Sequence, residues 1–290
     1  MEVKESRGLH IRTTRRTVSA LQRLLRLALF TLLVTMAPQG TALAAPSMDY
    51  VALGDSLTTG FGAFRGYVPR YETYAETDTG ATVRLTNLGR NGWTSSQLLY
   101  ALRNDATFRQ VVRGAEIVTW DIGGNDLRAA RTSYKNETCG GTYNQRCLRE
   151  AVAKLNANWD AITVEILSLR STPDSIATQT TIIRTMDLYN PYVRTDKAAD
   201  TVTYDGPDGA QKSDFEIFKG YLEQVNDHIA ATSSANEVPY AKAYLAFNGP
   251  LGGEDPAAKG YLSFDGLHPN DTGHRVIAGK LRVLGYAPLR

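Results

Sequence analysis

The sequence predicts an α/β protein built on a mostly parallel, five-stranded sheet with helices on both faces. Short apolar, β-branched runs alternate along the chain with longer segments of helical spacing. The third and fourth of those runs are the most continuously apolar, as expected of strands buried on both faces of a sheet. This alternation implies right-handed crossovers between parallel strands, with helices on either side. The predicted strands are 49–55, 81–89, 115–124, 179–187 and 238–247.

Helical patterns fill the intervals between the predicted strands, and one follows the last strand. The predicted helices are 66–78, 94–113, 146–170, 212–233 and 271–284. Two stretches, 132–147 and 188–211, are longer than a simple connection requires. Loops of this length serve as binding loops or lids about as often as they are surface insertions without a role.

Residues 1–44 have the composition of an export signal. Seven Lys or Arg, the last of them Arg26, precede the apolar run LALFTLLVTMA, and the small-residue site Ala42-Leu43-Ala44 follows it. This order predicts a secretory signal peptide cleaved after Ala44. The apolar run is too short to span a bilayer comfortably, and an uncleaved membrane anchor is the alternative. We therefore expect a secreted protein, either extracellular or on the periplasmic or cell-wall side.

The remaining chain, 45–290, carries no excess of positive charge. It contains 25 Lys plus Arg and 28 Asp plus Glu, a formal charge of −3, so the basic character of the whole chain comes from its first 44 residues. It has no Lys/Arg-rich stripe, which argues against nucleic-acid binding. No linker or repeat divides this part of the chain, and we expect a single domain over 45–290.

The only two cysteines, Cys139 and Cys147, are expected to form a disulfide. In an exported protein, two cysteines separated by seven residues more often pair with each other than bind a metal or react. Such a bond would stiffen the loop around CGGTYNQRC.

The loops that follow the predicted strands are where chemistry is expected, because ligands bind beyond the carboxyl ends of parallel strands. The first loop holds Ser56 in GDSL, which is either a nucleophile or a helix cap. The second, NLGRNGWTS, contains Gly92, which can bring its N–H up to a bound oxygen or cap a helix. In the third, DIGGNDL, Asn125 offers a side-chain N–H and Asp126 can cap the following helix.

The last loop, FDGLHPND, places Asp265 three residues before His268. A serine hydroxyl needs a base within hydrogen-bond reach, and that base needs a partner that fixes its tautomer. A second Asp-x-x-His, formed by Asp271 and His274, lies at the start of a helical pattern, where Asp271 is predicted to be the N-cap. We favour His268 because an acid–base pair is expected in a loop over the sheet.

These four blocks, in this order, resemble the SGNH hydrolases, the group that includes the GDSL lipases and esterases. The resemblance implies a flavodoxin-like three-layer α/β/α fold. It also implies that Ser56 is the nucleophile, that Asp265 and His268 complete a catalytic triad, and that Ser56, Gly92 and Asn125 supply the oxyanion hole.

The function that follows is hydrolysis of carboxylic acyl esters through an acyl-enzyme intermediate. The substrate partner is a small-molecule or lipid ester, and we expect no cofactor and no metal, since no second histidine has ligand spacing. A carbohydrate acetyl esterase of the same fold is one alternative. The other is a secreted binding module without turnover. Trp93, beside Gly92, is a candidate substrate contact.

Overall fold

The computed structural model describes residues 46–171, 181–199, 203–205 and 211–287. The predicted export signal, 1–44, and the first two residues of the predicted strand 179–187 lie outside these described residues. Within the described part of the chain, no helix has the length and apolar character needed to cross a bilayer.

A parallel sheet forms the centre of the molecule. The strands in the described residues are β1 Ser47–Leu53, β2 Thr82–Asn87, β3 Ile117–Trp120, β4 Ile182–Met186, β5 Thr203–Asp205, β6 Gln211–Ser213 and β7 Tyr240–Ala241. Five of them form one sheet in the order β2-β1-β3-β4-β7, with every neighbouring pair parallel. β5 and β6 form a separate antiparallel pair. The predicted fold class is therefore confirmed.

Helices cover both faces of this sheet. The α-helices in the described residues are α1 Ser56–Thr59, α2 Tyr67–Thr79, α3 Ser95–Asn104, α4 Ala106–Gly114, α5 Gly124–Lys135, α6 Arg146–Ser171, α7 Val193–Ala198, α8 Asp214–Ala235, α9 Ala243–Asn248 and α10 Asp271–Arg282. Side chains of a strand alternate between the two faces. Val51 and Leu53 of β1 accordingly join the core formed with α3–α6 and α8, and Tyr50 and Ala52 join the core formed with α2, α9 and α10.

The predicted helix 94–113 is two helices, which corrects the sequence-based expectation. Asp105 ends α3, and its carboxylate accepts hydrogen bonds from the N–H groups of Thr107 and Phe108 at the start of α4. An aspartate in an apolar repeat therefore acts here as a cap that starts a new helix.

The predicted strand 238–247 is also wrong over most of its length. Only Tyr240 and Ala241 pair with β4, and α9 follows directly. Ala243 and Phe247 are buried while Leu245 is exposed, which is the i, i+4 spacing of a helix. An apolar run this short does not distinguish a strand from a buried helix.

The two long stretches contain short ordered elements. A disulfide joins Cys139, in the loop after α5, to Cys147 on the first turn of α6. In the stretch after β4, α7 is held against α5 by an ion pair between Asp196 and Arg131, whose guanidinium also lies over the Tyr192 ring.

Candidate active site

Ser56 lies at the point where β1 turns into α1. The turn depends on Gly54, whose φ is +148° and where a Cβ atom would come within 2.3 Å of the carbonyl oxygen of Asp121. Asp55 is the N-cap of α1, since its carboxylate accepts from the Leu57 N–H at 2.9 Å. Ser56 is therefore the first residue of the helix and not its cap. Its backbone N–H opens the helix at the carboxyl edge of the sheet.

A short turn before α10 holds Asp265 and His268. Gly266 adopts a φ of +65°, a left-handed conformation that favours glycine. One carboxylate oxygen of Asp265 accepts from the N–H groups of Leu267 and His268, each at 3.0 Å. The histidine backbone is fixed in turn by the bond from the Ser263 N–H to the His268 carbonyl, 2.8 Å.

The structure brings Ser56, His268 and Asp265 into one hydrogen-bonded chain. Ser56 Oγ lies 2.8 Å from His268 Nε2, and His268 Nδ1 lies 2.6 Å from the second carboxylate oxygen of Asp265. Partial burial acts to raise the pKa of Asp265, but the hydrogen bonds from His268 and Leu267 outweigh it and lower that pKa below its usual value. The Asp265 carboxylate is therefore ionised beside the imidazole at neutral pH.

Asn125 and the loop that carries Gly92 adjoin this chain. Asn125, on the first turn of α5, donates its side-chain Nδ2 to the carbonyl of Trp93 at 2.9 Å and to Asp55 Oδ2 at 3.2 Å. The Gly92 loop is also tied to the serine turn, because Thr59 Oγ1 donates to Asn91 Oδ1 at 2.6 Å. Gly92 itself has a φ of +79°.

The second Asp-x-x-His has a different environment. Asn270 is the N-cap of α10, so the prediction of Asp271 as the cap is wrong. The Asp271 carboxylate instead accepts from the backbone N–H of Phe64 at 3.0 Å. His274 is fully buried, accepts from the Tyr67 N–H at 3.1 Å, and has its pKa lowered by burial to about 4. This pair joins the serine loop to α10 and does not reach Ser56.

Asp126 and Trp93, two further residues singled out in the sequence, have the following surroundings. α5 begins at Gly124, and Asp126 is not its cap; the Asp126 carboxylate instead binds the N–H and hydroxyl of Ser95, at 2.9 and 2.7 Å. Trp93 is not among the residues that line the cleft described below, and its ring stacks on Phe108 with centroids 5.7 Å apart.

A pair of buried carboxyl groups lies beneath the serine turn. Asp55 and Asp121 are 6% and 2% exposed, and they lie just beyond the adjoining ends of β1 and β3. Asp121 also accepts from the hydroxyls of Thr58 and Tyr67. Burial raises the pKa of Asp121 to about 6 and, together with the neighbouring Asp121 charge, raises the pKa of Asp55 well above its usual value.

An apolar cleft opens beside Ser56 and His268. It encloses about 670 Å³, part of it open to solvent. Sequence reasoning did not identify its walls, because a buried leucine or phenylalanine on a helix has the same pattern whether it faces the core or a cleft. The main apolar residues of the walls are Ile122, Leu127, Leu188, Tyr192, Phe218 and Leu222.

The parallel sheet, with Ser56, Gly92, Asn125 and His268 along its carboxyl edge, defines the SGNH hydrolase class. Comparison with known proteins gives the family. The profile of the GDSL-like lipase/acylhydrolase family matches residues 52–276, and the chain belongs to that family.

Relatives of this chain include lipases and an esterase. It is 27% identical to the spore germination lipase LipC of Bacillus licheniformis over 246 residues, 84% of this chain and 99% of the relative. The crystal structure of the lipase Lip_vut3 from a goat rumen metagenome has a TM-score of 0.65 at 27% identity, covering 83% of this chain and 98% of that one. A catalytic mutant of Axe2, an acetylxylan esterase from Geobacillus stearothermophilus, shares the fold at 17% identity with a TM-score of 0.55, covering 85% of this chain and 98% of that one.

Proposed function

We propose that this protein is an exported serine esterase that cleaves carboxylic acyl esters through an acyl-enzyme intermediate. The hydrogen-bonded chain from Ser56 through His268 to Asp265 is the observation that carries the proposal. An unassisted serine hydroxyl is a weak nucleophile at neutral pH, and a base whose tautomer is fixed by a carboxylate overcomes that weakness.

In the first half of the reaction, Ser56 Oγ attacks the acyl carbonyl carbon while His268 Nε2 takes the hydroxyl proton. The imidazolium that forms is stabilised by the Asp265 carboxylate at Nδ1. Charge that develops on the carbonyl oxygen is stabilised by N–H donors from Ser56, Gly92 and Asn125, each worth about 10²–10³ in rate. The tetrahedral intermediate collapses when His268 gives its proton to the leaving alcohol, and the acyl group stays on Ser56.

In the second half, water takes the place of the alcohol. His268 removes a proton from the water as it attacks the acyl carbonyl, and the same donors stabilise the second tetrahedral intermediate. Collapse returns the proton to Ser56 Oγ and releases the carboxylic acid. The enzyme is then in its starting state.

The apolar cleft supports an apolar acyl group as the preferred substrate. Most of the wall surface next to Ser56 is aliphatic or aromatic, although Asn125, Arg128 and Asp187 also line the cleft. A panel of p-nitrophenyl esters of increasing acyl length, run beside acetylated xylan, tests this preference. We expect kcat/KM to rise from acetate to a medium-length acyl group; turnover of acetylated xylan alone would instead favour the carbohydrate esterase.

The Ser56→Ala variant tests the reaction itself. We expect turnover of p-nitrophenyl butyrate to fall by at least 10³-fold with an unchanged far-UV circular dichroism spectrum. Ser234→Ala, which truncates an exposed serine on α8, is the matched control and keeps the wild-type rate. Wild-type turnover by Ser56→Ala would overturn the proposal, and an inactive wild-type protein would favour a binding module.

Export is proposed for the full chain on the basis of residues 1–44. The disulfide between Cys139 and Cys147 supports this proposal, because such bonds persist in oxidising compartments. N-terminal sequencing of the protein from the culture medium should begin at Ala45. A protein that keeps residues 1–44 and sediments with membranes would favour an uncleaved anchor.

A further inference from the structure

The buried carboxyl groups of Asp55 and Asp121 lie next to each other beneath Ser56. The register of β1 beside β3 places the two residues just beyond adjoining strand ends, and the Asp121 carboxyl lies against Gly54, the residue before Asp55. Two adjoining carboxyl groups can hydrogen-bond to each other only when one of them carries a proton. Like charges this close in a buried site also resist double ionisation, as the shared proton of paired aspartates illustrates.

The distribution of donors assigns the proton to Asp55. The Asp121 carboxylate accepts from the hydroxyls of Thr58 and Tyr67, which stabilise it as an anion. Asp55 accepts from one backbone N–H, that of Leu57, and from the longer 3.2 Å contact with Asn125.

The other titratable groups that face the pair do not favour a second negative charge. They are tyrosines or acids, and they come from the elements packed around the pair: Tyr50 of β1, Tyr67 of α2, Asp126 of α5 and Tyr189 after β4. The imidazole of His268 is hydrogen-bonded to the Ser56 hydroxyl and to Asp265.

The protonation state of Asp55 matters because Asn125 has only two amide hydrogens. In the free enzyme one is bound to the Trp93 carbonyl and the other is directed at Asp55 Oδ2. A substrate oxyanion needs one of these hydrogens. A neutral carboxylic acid that already donates to Asp121 is a weak acceptor and releases it, whereas an ionised Asp55 would hold it in a charge-assisted bond and place negative charge beside the oxyanion.

We propose that Asp121 is a positioning residue that keeps Asp55 in its carboxylic acid form, so that Asn125 can turn an amide hydrogen to the substrate oxyanion. This inference rests on the proposed esterase function, in which Asn125 is an oxyanion donor. Asp55 and Asp121 then contribute to the rate, although neither attacks the substrate nor exchanges a proton with it.

The decisive experiment compares Asp121→Asn with the double variant Asp55→Asn/Asp121→Asn. In Asp121→Asn, the new amide donates to Asp55 and removes the neighbouring anion, so Asp55 ionises. We expect kcat on p-nitrophenyl butyrate at pH 8 to fall by about 10–100-fold, with KM within about twofold of wild type, as for the weakening of one oxyanion donor. The added Asp55→Asn change makes this position neutral again, and we expect it to recover most of the lost kcat.

A purely structural role for the pair would not produce this recovery, because a second substitution would add to the damage of the first. A double variant as slow as Asp121→Asn, or slower, would overturn the inference. Ser56→Ala measured in parallel separates the two proposals: if it keeps activity, the esterase mechanism itself fails, and if it is inactive while the double variant shows no recovery, only the role of Asp121 fails.

Infrared spectroscopy provides a test that does not depend on turnover or on the folding of Asp121→Asn. The difference spectrum between wild type and Asp55→Asn at pH 7 should contain the C=O stretch of a protonated carboxylic acid. A difference spectrum that contains only carboxylate bands would place the charge on Asp55 and overturn the inference.

Discussion

The hydroxyl of Tyr189 donates a hydrogen bond to the carbonyl oxygen of Leu267 at 2.8 Å. Tyr189 lies three residues after β4, and Leu267 precedes His268, so this bond connects the sheet edge to the turn that carries the imidazole. The turn that carries His268 is thus held from the cleft side as well as by its own backbone.

Removing that hydroxyl should loosen the histidine turn. For Tyr189→Phe we expect kcat to fall about three- to tenfold with little change in KM, and stability to fall by about 1 kcal/mol, the usual net value of one hydrogen bond. Steady-state kinetics and urea denaturation measure the two effects. Tyr100→Phe, on an exposed position of α3, should change neither; equal effects in both variants would contradict a role for the Tyr189 bond.

The two Asp-x-x-His pairs should respond differently to the same substitution. Asp265→Asn replaces an anion that orients and stabilises the imidazolium, and we expect kcat to fall by about 10²–10⁴-fold. Asp271→Asn weakens the bonds to Phe64 and Arg70, so it should lower stability while kcat stays within about threefold of wild type. Steady-state kinetics of the two variants decide which pair acts as acid and base. A larger loss of kcat in Asp271→Asn than in Asp265→Asn would make Asp271 and His274 the acid–base pair.

The buried carboxyl of Asp187 should make stability depend on pH. It accepts from the Tyr244 N–H at 2.7 Å, and burial raises its pKa from 3.8 to about 7. An acid whose folded pKa exceeds its unfolded pKa is neutral in both states below about pH 4. As the pH rises, the unfolded state ionises first, so the contribution of this acid to the free energy of unfolding is progressively lost up to about pH 7.

Relative to Asp187→Asn, the wild-type free energy of unfolding should therefore fall between pH 4 and pH 8, by an amount on the order of 4 kcal/mol. Urea denaturation of both proteins across this range measures the difference. Asp227→Asn, at an exposed position on α8, is the control and should follow the wild-type curve. Parallel curves for Asp187→Asn and wild type would show that Asp187 ionises normally.

Phe218 should limit the length of the acyl group. Its ring lines the cleft from α8, and truncation to alanine would extend the apolar space beside the nucleophile. For Phe218→Ala we expect the acyl-length preference to move toward longer esters, with acetate turnover reduced less than threefold. Phe64→Ala removes a fully exposed ring that is not part of the cleft lining and should leave the preference unchanged. An unchanged preference in Phe218→Ala would place the acyl group elsewhere.

Much of the architecture could be predicted from the sequence, because periodicity distinguishes buried strands from amphipathic helices and parallel strands place their loops at one edge. The positions of Ser56 and His268 followed from this rule and from the resemblance of four short blocks. The split at Asp105 and the short strand β7 were missed, since local patterns there fit two structures equally well.

The buried carboxyl pair and the walls of the cleft depend on contacts between residues far apart in the sequence, which a local sequence pattern does not encode. Asp55 follows β1 and Asp121 follows β3, so their carboxyl groups become neighbours only because β1 pairs with β3 in this register. Phe218 occupies an ordinary apolar position of a long helix, and its place in the cleft follows from how α8 packs near the carboxyl ends of β3 and β4.

The most direct test of the central claim is covalent labelling of the purified protein with a fluorophosphonate, followed by mass spectrometry of the peptides. Such a reagent reacts with a serine whose hydroxyl is activated by a neighbouring base. If the claim holds, one adduct forms, on Ser56, and it forms at least 100-fold more slowly in His268→Ala than in the wild type. No adduct on Ser56, or labelling at the same rate without His268, would contradict it.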